Sequence, residues 1–139
     1  MTLVEQTRNV YDAFSRGEVQ TILDNVAENV EWGHDSVATE IPWHGLRHGR
    51  AGVAQFLQVL SENVEFQHFE PYMILGEGNE VVAFIRMKTK LRKNGIQVNQ
   101  EIVHHSTYND QRKVVRFRAY NDTAHSLMAW RGEKVPASV

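Results

Sequence analysis

An α+β domain is the fold class this sequence predicts. Three observations carry it: apolar residues recur at helical spacing up to about residue 60, they alternate at strand spacing after residue 63, and the strand-like runs are joined by short polar turns. Helices first and an antiparallel four-stranded meander second is an α+β order, unlike the alternating order of a doubly wound sheet.

The first helix is expected over Leu3 to Ser15, where Leu3, Val4, Val10, Tyr11 and Phe14 form the apolar stripe and Gly17 supplies a stop. Val19, Ile22, Leu23 and Val26 repeat the period at once, so a second short helix packs against the first. Asn29 to His34 reads as a brief strand. Asp35 to Arg50 reads as a long loop, because Pro42, Gly45 and Gly49 interrupt any periodicity among His44, His48 and Trp43. Ordered loops of that length usually carry function. A third helix follows over Ala51 to Leu60, with Val53, Phe56, Leu57 and Leu60 on one side. The strands are expected near Val64 to Leu75, Glu80 to Leu91, Ile96 to Tyr108 and Lys113 to Asn121. The connections Gly76 to Asn79, Lys93 to Gly95 and Asn109 to Arg112 are rich in the residues that tight turns require.

The chain has 139 residues, 42% hydrophobic and 23% charged, which suits one self-sufficient globular domain. We place that domain at 1–130 and expect 131–139, with Gly132 and Pro136, to fray as a tail. A net charge of −2 leaves no footprint for nucleic acid, and Lys88, Lys90, Arg92 and Lys93 read as the solvated end of a strand because Thr89 and Leu91 alternate with them. There are no cysteines, so disulfides and thiolate chemistry are excluded. Glu5, Arg8, Asp12 and Arg16 break up the start of the chain, and no apolar run approaches the roughly 20 residues of a membrane span. A cytosolic location without a membrane partner is expected.

Strand parity sorts the residues that look inward. On the third long strand Val98, Ile102, His104, Ser106 and Tyr108 share the more apolar face, which turns His104 inward and His105 outward. On the last strand Val115, Phe117, Ala119 and Asn121 face the interior, while Arg116, Arg118 and Tyr120 face out. Small Ala119 beside Phe117 leaves room for a ligand. A buried imidazole needs a hydrogen-bond partner, since an unmatched polar group there costs about 1–3 kcal/mol. Candidates for His104 are Asp122, Asn121, Ser106, His34 and His44, or a bound ligand.

Three segments carry a resemblance across nearly the whole chain: VYDAFSRGEVQTILDNVAENVEW at 10–32, the P-W-H-G run at 42–45 with Gly49 before the third helix, and VVRFRAYND at 114–122. They resemble the ketosteroid isomerase and SnoaL-like polyketide cyclase superfamily, the nuclear-transport-factor-like cone. The resemblance implies a cone-shaped, curved antiparallel sheet with three N-terminal helices packed on its concave face, a cystatin-like roll. It also implies a homodimer, for which Val82, Phe84 and Val103 offer outward apolar area and Arg116, Arg118 and Tyr120 a polar rim. Ketosteroid isomerase uses an Asp base with an oxyanion hole of Tyr and protonated Asp. Matched by register, those positions fall here on Trp32, Val10 and His104, and Tyr11 lies about 100° further round the helix. Authentic steroid isomerisation is therefore not expected. The cyclase branch is closer, with His104 and Asp122 at the positions its histidine and aspartate would take.

Two readings stay open. In the first, a cofactor-free isomerase, cyclase or dehydratase moves a proton next to a carbonyl, with His104 as acid or base and Asp122 orienting it or acting as base. In the second, the same pocket holds a small hydrophobic or aromatic molecule without chemistry. In both, Trp32, His34, Trp43, His44, Tyr108, Phe117, Ala119 and Asn121 contact that molecule. No metal is expected, because the spacing of His34, His44, His104 and His105 with Asp35 or Asp122 fits no ligand motif such as H-E-x-x-H.

Overall fold

The computed structural model describes residues 1–134. Helix α1, Leu3–Ser15, begins with a capping box in which Thr2 Oγ1 accepts from the Glu5 amide at 3.1 Å and Glu5 returns the bond to the Thr2 amide. It ends at Gly17, whose φ of 72° is the left-handed turn that glycine permits. Helix α2 spans Val19–Asp24 and leads straight into β1, Val26–His34, which is longer than the brief strand expected.

The segment read as one long loop is shorter than expected, since β2, Gly45–His48, pairs antiparallel with β1 as a hairpin. Gly33 and Gly45 make this approach possible. Gly33 has a φ of 141°, and a Cβ there would stand 2.1 Å from the Gly45 carbonyl oxygen. Helix α3, Gly49–Asn63, follows, and then β3 (Val64–Glu77), β4 (Glu80–Leu91), β5 (Gln97–Tyr108) and β6 (Val114–Tyr120).

The six strands form one open sheet in the order β2-β1-β6-β5-β4-β3. The meander β3 to β6 is antiparallel as expected, but β1 joins β6 in parallel, so the sheet is mixed rather than antiparallel throughout. Register shifts in β3, in β6 and between β1 and β6 bend the sheet, as bulges do. The shift between Thr107 and Tyr108 also corrects the parity of the last strand: Val114, not Val115, is buried opposite Tyr108.

Helices α1, α2 and α3 cover the inner face of the sheet. Ile22, Val53 and Phe56 from the helices meet Val30, Ile85, Ile102 and Phe117 from the strands in one apolar core, with Val10 and Phe14 packed against it. A fourth helix not expected from the sequence, α4 (Thr123–Trp130), continues from β6 and buries Ala129 with Val64, Leu91 and Val98 in a second cluster. Arg131, assigned to the tail, is tied to Glu40. The tail beyond Lys134 lies outside the described residues. Arg118, expected on an exposed rim, is 4% exposed and paired with Glu31 on the neighbouring strand. Among the described residues no helix is long and apolar enough to cross a membrane.

Candidate functional site

Between the inner face of the sheet and the helices lies a cavity of about 150 Å³. Its wall is mostly apolar, with Val10 and Phe14 from α1, Phe56 from α3, Ile102 from β5 and Phe117 from β6. Among the described residues that line it there is no Asp, Glu, Lys or Arg.

His104 reaches this cavity from the inner face of β5, opposite Ala119, as parity requires. Its ring meets Phe117 edge-on at 4.8 Å. Its partner is Tyr11: the Tyr11 hydroxyl lies 2.9 Å from His104 Nδ1. Burial pulls the His104 pKa down to about 3 and pushes the Tyr11 phenol upward, a shift to which Tyr108 adds, so both groups are neutral at ordinary pH. If Tyr11 donates to Nδ1, the imidazole carries its proton on Nε2 and offers a donor to the cavity. If Nδ1 donates to the Tyr11 oxygen, Nε2 offers a lone pair. Nε2 has no partner among the described residues.

Tyr11 is the residue that register matching set aside in favour of Val10. Both line the cavity. The signal was present in the helical spacing, because Thr7, Tyr11 and Phe14 lie at i, i+4 and i+7 on one stripe.

Asp122 does not meet His104. Strand β6 ends at Tyr120, and Asp122 is the N-cap of α4, its Oδ1 accepting from the His125 amide at 3.1 Å. It is exposed and outside the cavity wall. A helix start that needs a cap has taken the carboxylate expected in the site.

Trp32, His34, Trp43, Tyr108, Phe117, Ala119 and Asn121 all line the cavity. Trp32 stacks on Phe117 with ring centres 3.9 Å apart, and its Nε1 is buried without a partner. The Tyr108 hydroxyl is held by Thr7 Oγ1 at 2.8 Å and faces Asn25 Nδ2 at 3.4 Å, so it braces α1 against β5. Trp43 packs edge-on against Trp130. His44 departs from expectation: it stacks on His34 at 4.3 Å, faces Ser36 Oγ through Nδ1 at 3.2 Å, and is absent from the cavity wall. Burial lowers His34 to about 3 and His44 to about 4, and for His34 the neighbouring His44 and His104 add to the shift. Two neutral imidazoles can stack where two imidazolium ions would repel. Among the described residues no three His, Asp or Glu side chains converge as metal ligands would. Gln100 and Ser126, which sequence reasoning missed, complete a polar end of the cavity beside Asn121.

Comparison with known proteins agrees with the cone. A family model described as a SnoaL-like domain matches residues 7–124. No curated protein sequence matches the chain. Among solved structures, an NTF2-like protein of unknown function from Burkholderia pseudomallei K96243 superimposes with a TM-score of 0.82 at 21% identity, covering 93% of this chain and 97% of that one. An NTF2-like protein from Burkholderia xenovorans LB400 gives 0.77 at 27% identity, over 88% and 90%. TerC, co-crystallised with polyporic acid, gives 0.78 at 25% identity, over 91% and 98%.

Proposed function

The chain belongs to the SnoaL-like domain family, and from that premise we propose that its cavity binds a small, uncharged, mainly apolar molecule through one polar anchor, the Tyr11–His104 pair. Family membership brings the cone but not the reaction. The observation that carries the reading is His104 Nε2, a polar atom with no described partner, presented to a cavity whose described lining holds no ionised side chain. An ion entering there would lose its hydration and gain no counter-charge, whereas a carbonyl or hydroxyl needs a single hydrogen bond. The co-crystallisation of the related TerC with polyporic acid supports a cone that accepts an organic molecule. Neither this reading nor the next calls for a cofactor. The proposal takes the protein to act in the cytosol as a homodimer joined over the half-buried outward strip Val82, Phe84 and Val103.

A second reading, proton transfer next to a carbonyl, is favoured by the hydrogen-bonded connection from the Tyr11 hydroxyl through the imidazole to Nε2. It is weakened by the depressed basicity of His104, which is near 3 where a general base works best near the operating pH. It also lacks the carboxylate that Asp122 was expected to bring.

Thermal shift of wild type and His104→Ala with a set of small hydrophobic carbonyl compounds, followed by chromatography of each compound, separates the two. Stabilisation of wild type by recovered, unchanged compounds, weakened in the variant, is the expected result. Consumption by wild type and not by the variant would move the conclusion to proton transfer. A set that stabilises neither protein would remove the binding reading.

A further inference from the structure

Ser106 stands apart from the other small hydroxyls of the cavity wall. Thr7, Thr89, Ser106 and Ser126 all line it. Thr7 Oγ1 donates to the Leu3 carbonyl oxygen at 2.8 Å, Thr89 Oγ1 donates to that of Val98 at 3.1 Å, and Ser126 Oγ lies 3.0 Å from the side-chain amides of both Asn121 and Gln100. Ser106 Oγ makes no hydrogen bond among the described residues, although the residue is only 6% exposed. Parity placed Ser106 among the possible partners of His104, but Tyr11 fills that role at Nδ1 and leaves the hydroxyl unused. The Ser106 oxygen is not sealed in as Trp32 Nε1 is, and it keeps surface on the cavity side. A hydroxyl turns about its own bond and both donates and accepts, so it serves a ligand atom in either role. Left without a partner in so buried a place it is costly, and the molecule in the cavity is the one placed to supply that partner.

Strand geometry sets the spacing. Ser106 is two residues from His104 on the same face of β5, in regular register with Phe117 and Ala119, which puts the two about 7 Å apart along the strand. The His104 ring meets Phe117 edge-on, and Phe117 lies opposite Ser106, so His104 Nε2 and Ser106 Oγ border the same space. One ligand oxygen bonded to both groups would span about 6 Å at most, two hydrogen bonds of about 3 Å end to end. Two oxygens on adjacent carbons span the distance. With no ionised side chain on the described wall, that pair of oxygens has to be neutral.

We propose that Ser106 is a specificity-determining residue of the cavity and that the ligand class is α-hydroxy ketones, the carbonyl held at His104 Nε2 and the hydroxyl of the adjacent carbon held at Ser106 Oγ. The inference rests on the binding reading above.

Calorimetric titration of the full chain with α-hydroxyacetophenone and propiophenone tests it, because these two ketones differ only by a hydroxyl in place of a methyl group. Wild type is expected to bind the hydroxy ketone about tenfold more tightly, the worth of one matched polar group. Ser106→Ala should reverse the order, since the site then offers the hydroxyl nothing and the methyl group an apolar neighbour. Urea denaturation of the unliganded proteins is the second measurement. A hydroxyl with no protein partner holds nothing in place, so the Ser106→Ala midpoint should equal or exceed that of wild type. A lower midpoint would overturn the proposal by showing the hydroxyl to be bonded within the fold. Equal binding of the two ketones by wild type, or a preference for the hydroxy ketone that survives in Ser106→Ala, would also overturn it and leave the cavity reading intact. If neither ketone binds wild type, the reading beneath falls and the proposal falls with it.

Discussion

Tyr11 and His104 are 93 positions apart in the chain, and the cone joins them by a single hydrogen bond. Replacing Tyr11 by Phe keeps the ring and its packing on Phe69 but strands His104 Nδ1 in an apolar wall. The expected loss is about 1–3 kcal/mol of stability, read as a lower denaturant midpoint at an unchanged slope. A midpoint equal to wild type would mean that the bond contributes nothing to holding the imidazole. The two residues also show where sequence reasoning succeeds and where it stops. Strand parity turned His104 inward because side chains on a strand have two directions. A helix stripe is broader than 100°, so Val10 and Tyr11 both fit on it, and matching to a family position chose Val10 where the hydrogen bond to His104 comes from Tyr11.

At the scale of elements, the passage from β6 into α4 decides the role of Asp122. Its carboxylate caps a helix start, so Asp122→Ala should cost about 0.5–2 kcal/mol of stability and leave ligand affinity where it was. Titration of one stabilising compound against both proteins checks this, and a large loss of affinity at unchanged stability would return Asp122 to the site. The hairpin turns of the meander were legible because Gly, Asn and Asp mark them locally. Strand β2 was not, since four residues that open on Gly45 and stop before Gly49 carry too short a pattern to read. The parallel pairing of β1 with β6 has no local signature at all, being made between segments at opposite ends of the domain. The bulge near Val115 is likewise invisible in a period-2 count and reverses it, which is why Val114 took the inward place.

Across the whole molecule, three neutral histidines, His34 and His44 buried and His104 half-buried on the cavity wall, tie the stability of the cone to pH. His34, His44 and His104 titrate near 3, 4 and 3 in the folded chain, against about 6.5 when unfolded. As pH falls below 6.5 the unfolded chain therefore binds protons that the folded chain refuses, and stability declines. The contribution is fully present above pH 6.5 and is lost progressively toward pH 3, at up to about 1.4 kcal/mol per pH unit for each histidine. Glu18, Glu31 and Glu40, held low by Arg16, Arg118 and Arg131, act in the same direction but only below the ordinary carboxylate range. The window from pH 6.5 to 5 thus belongs to these imidazoles. Urea midpoints measured across it should fall steadily, and His44→Gln should flatten the slope by removing one titrating group. A midpoint independent of pH between 6.5 and 5 would mean that the histidines take up protons in the folded chain, and the uncharged cavity on which ligand selection depends would then be positively charged.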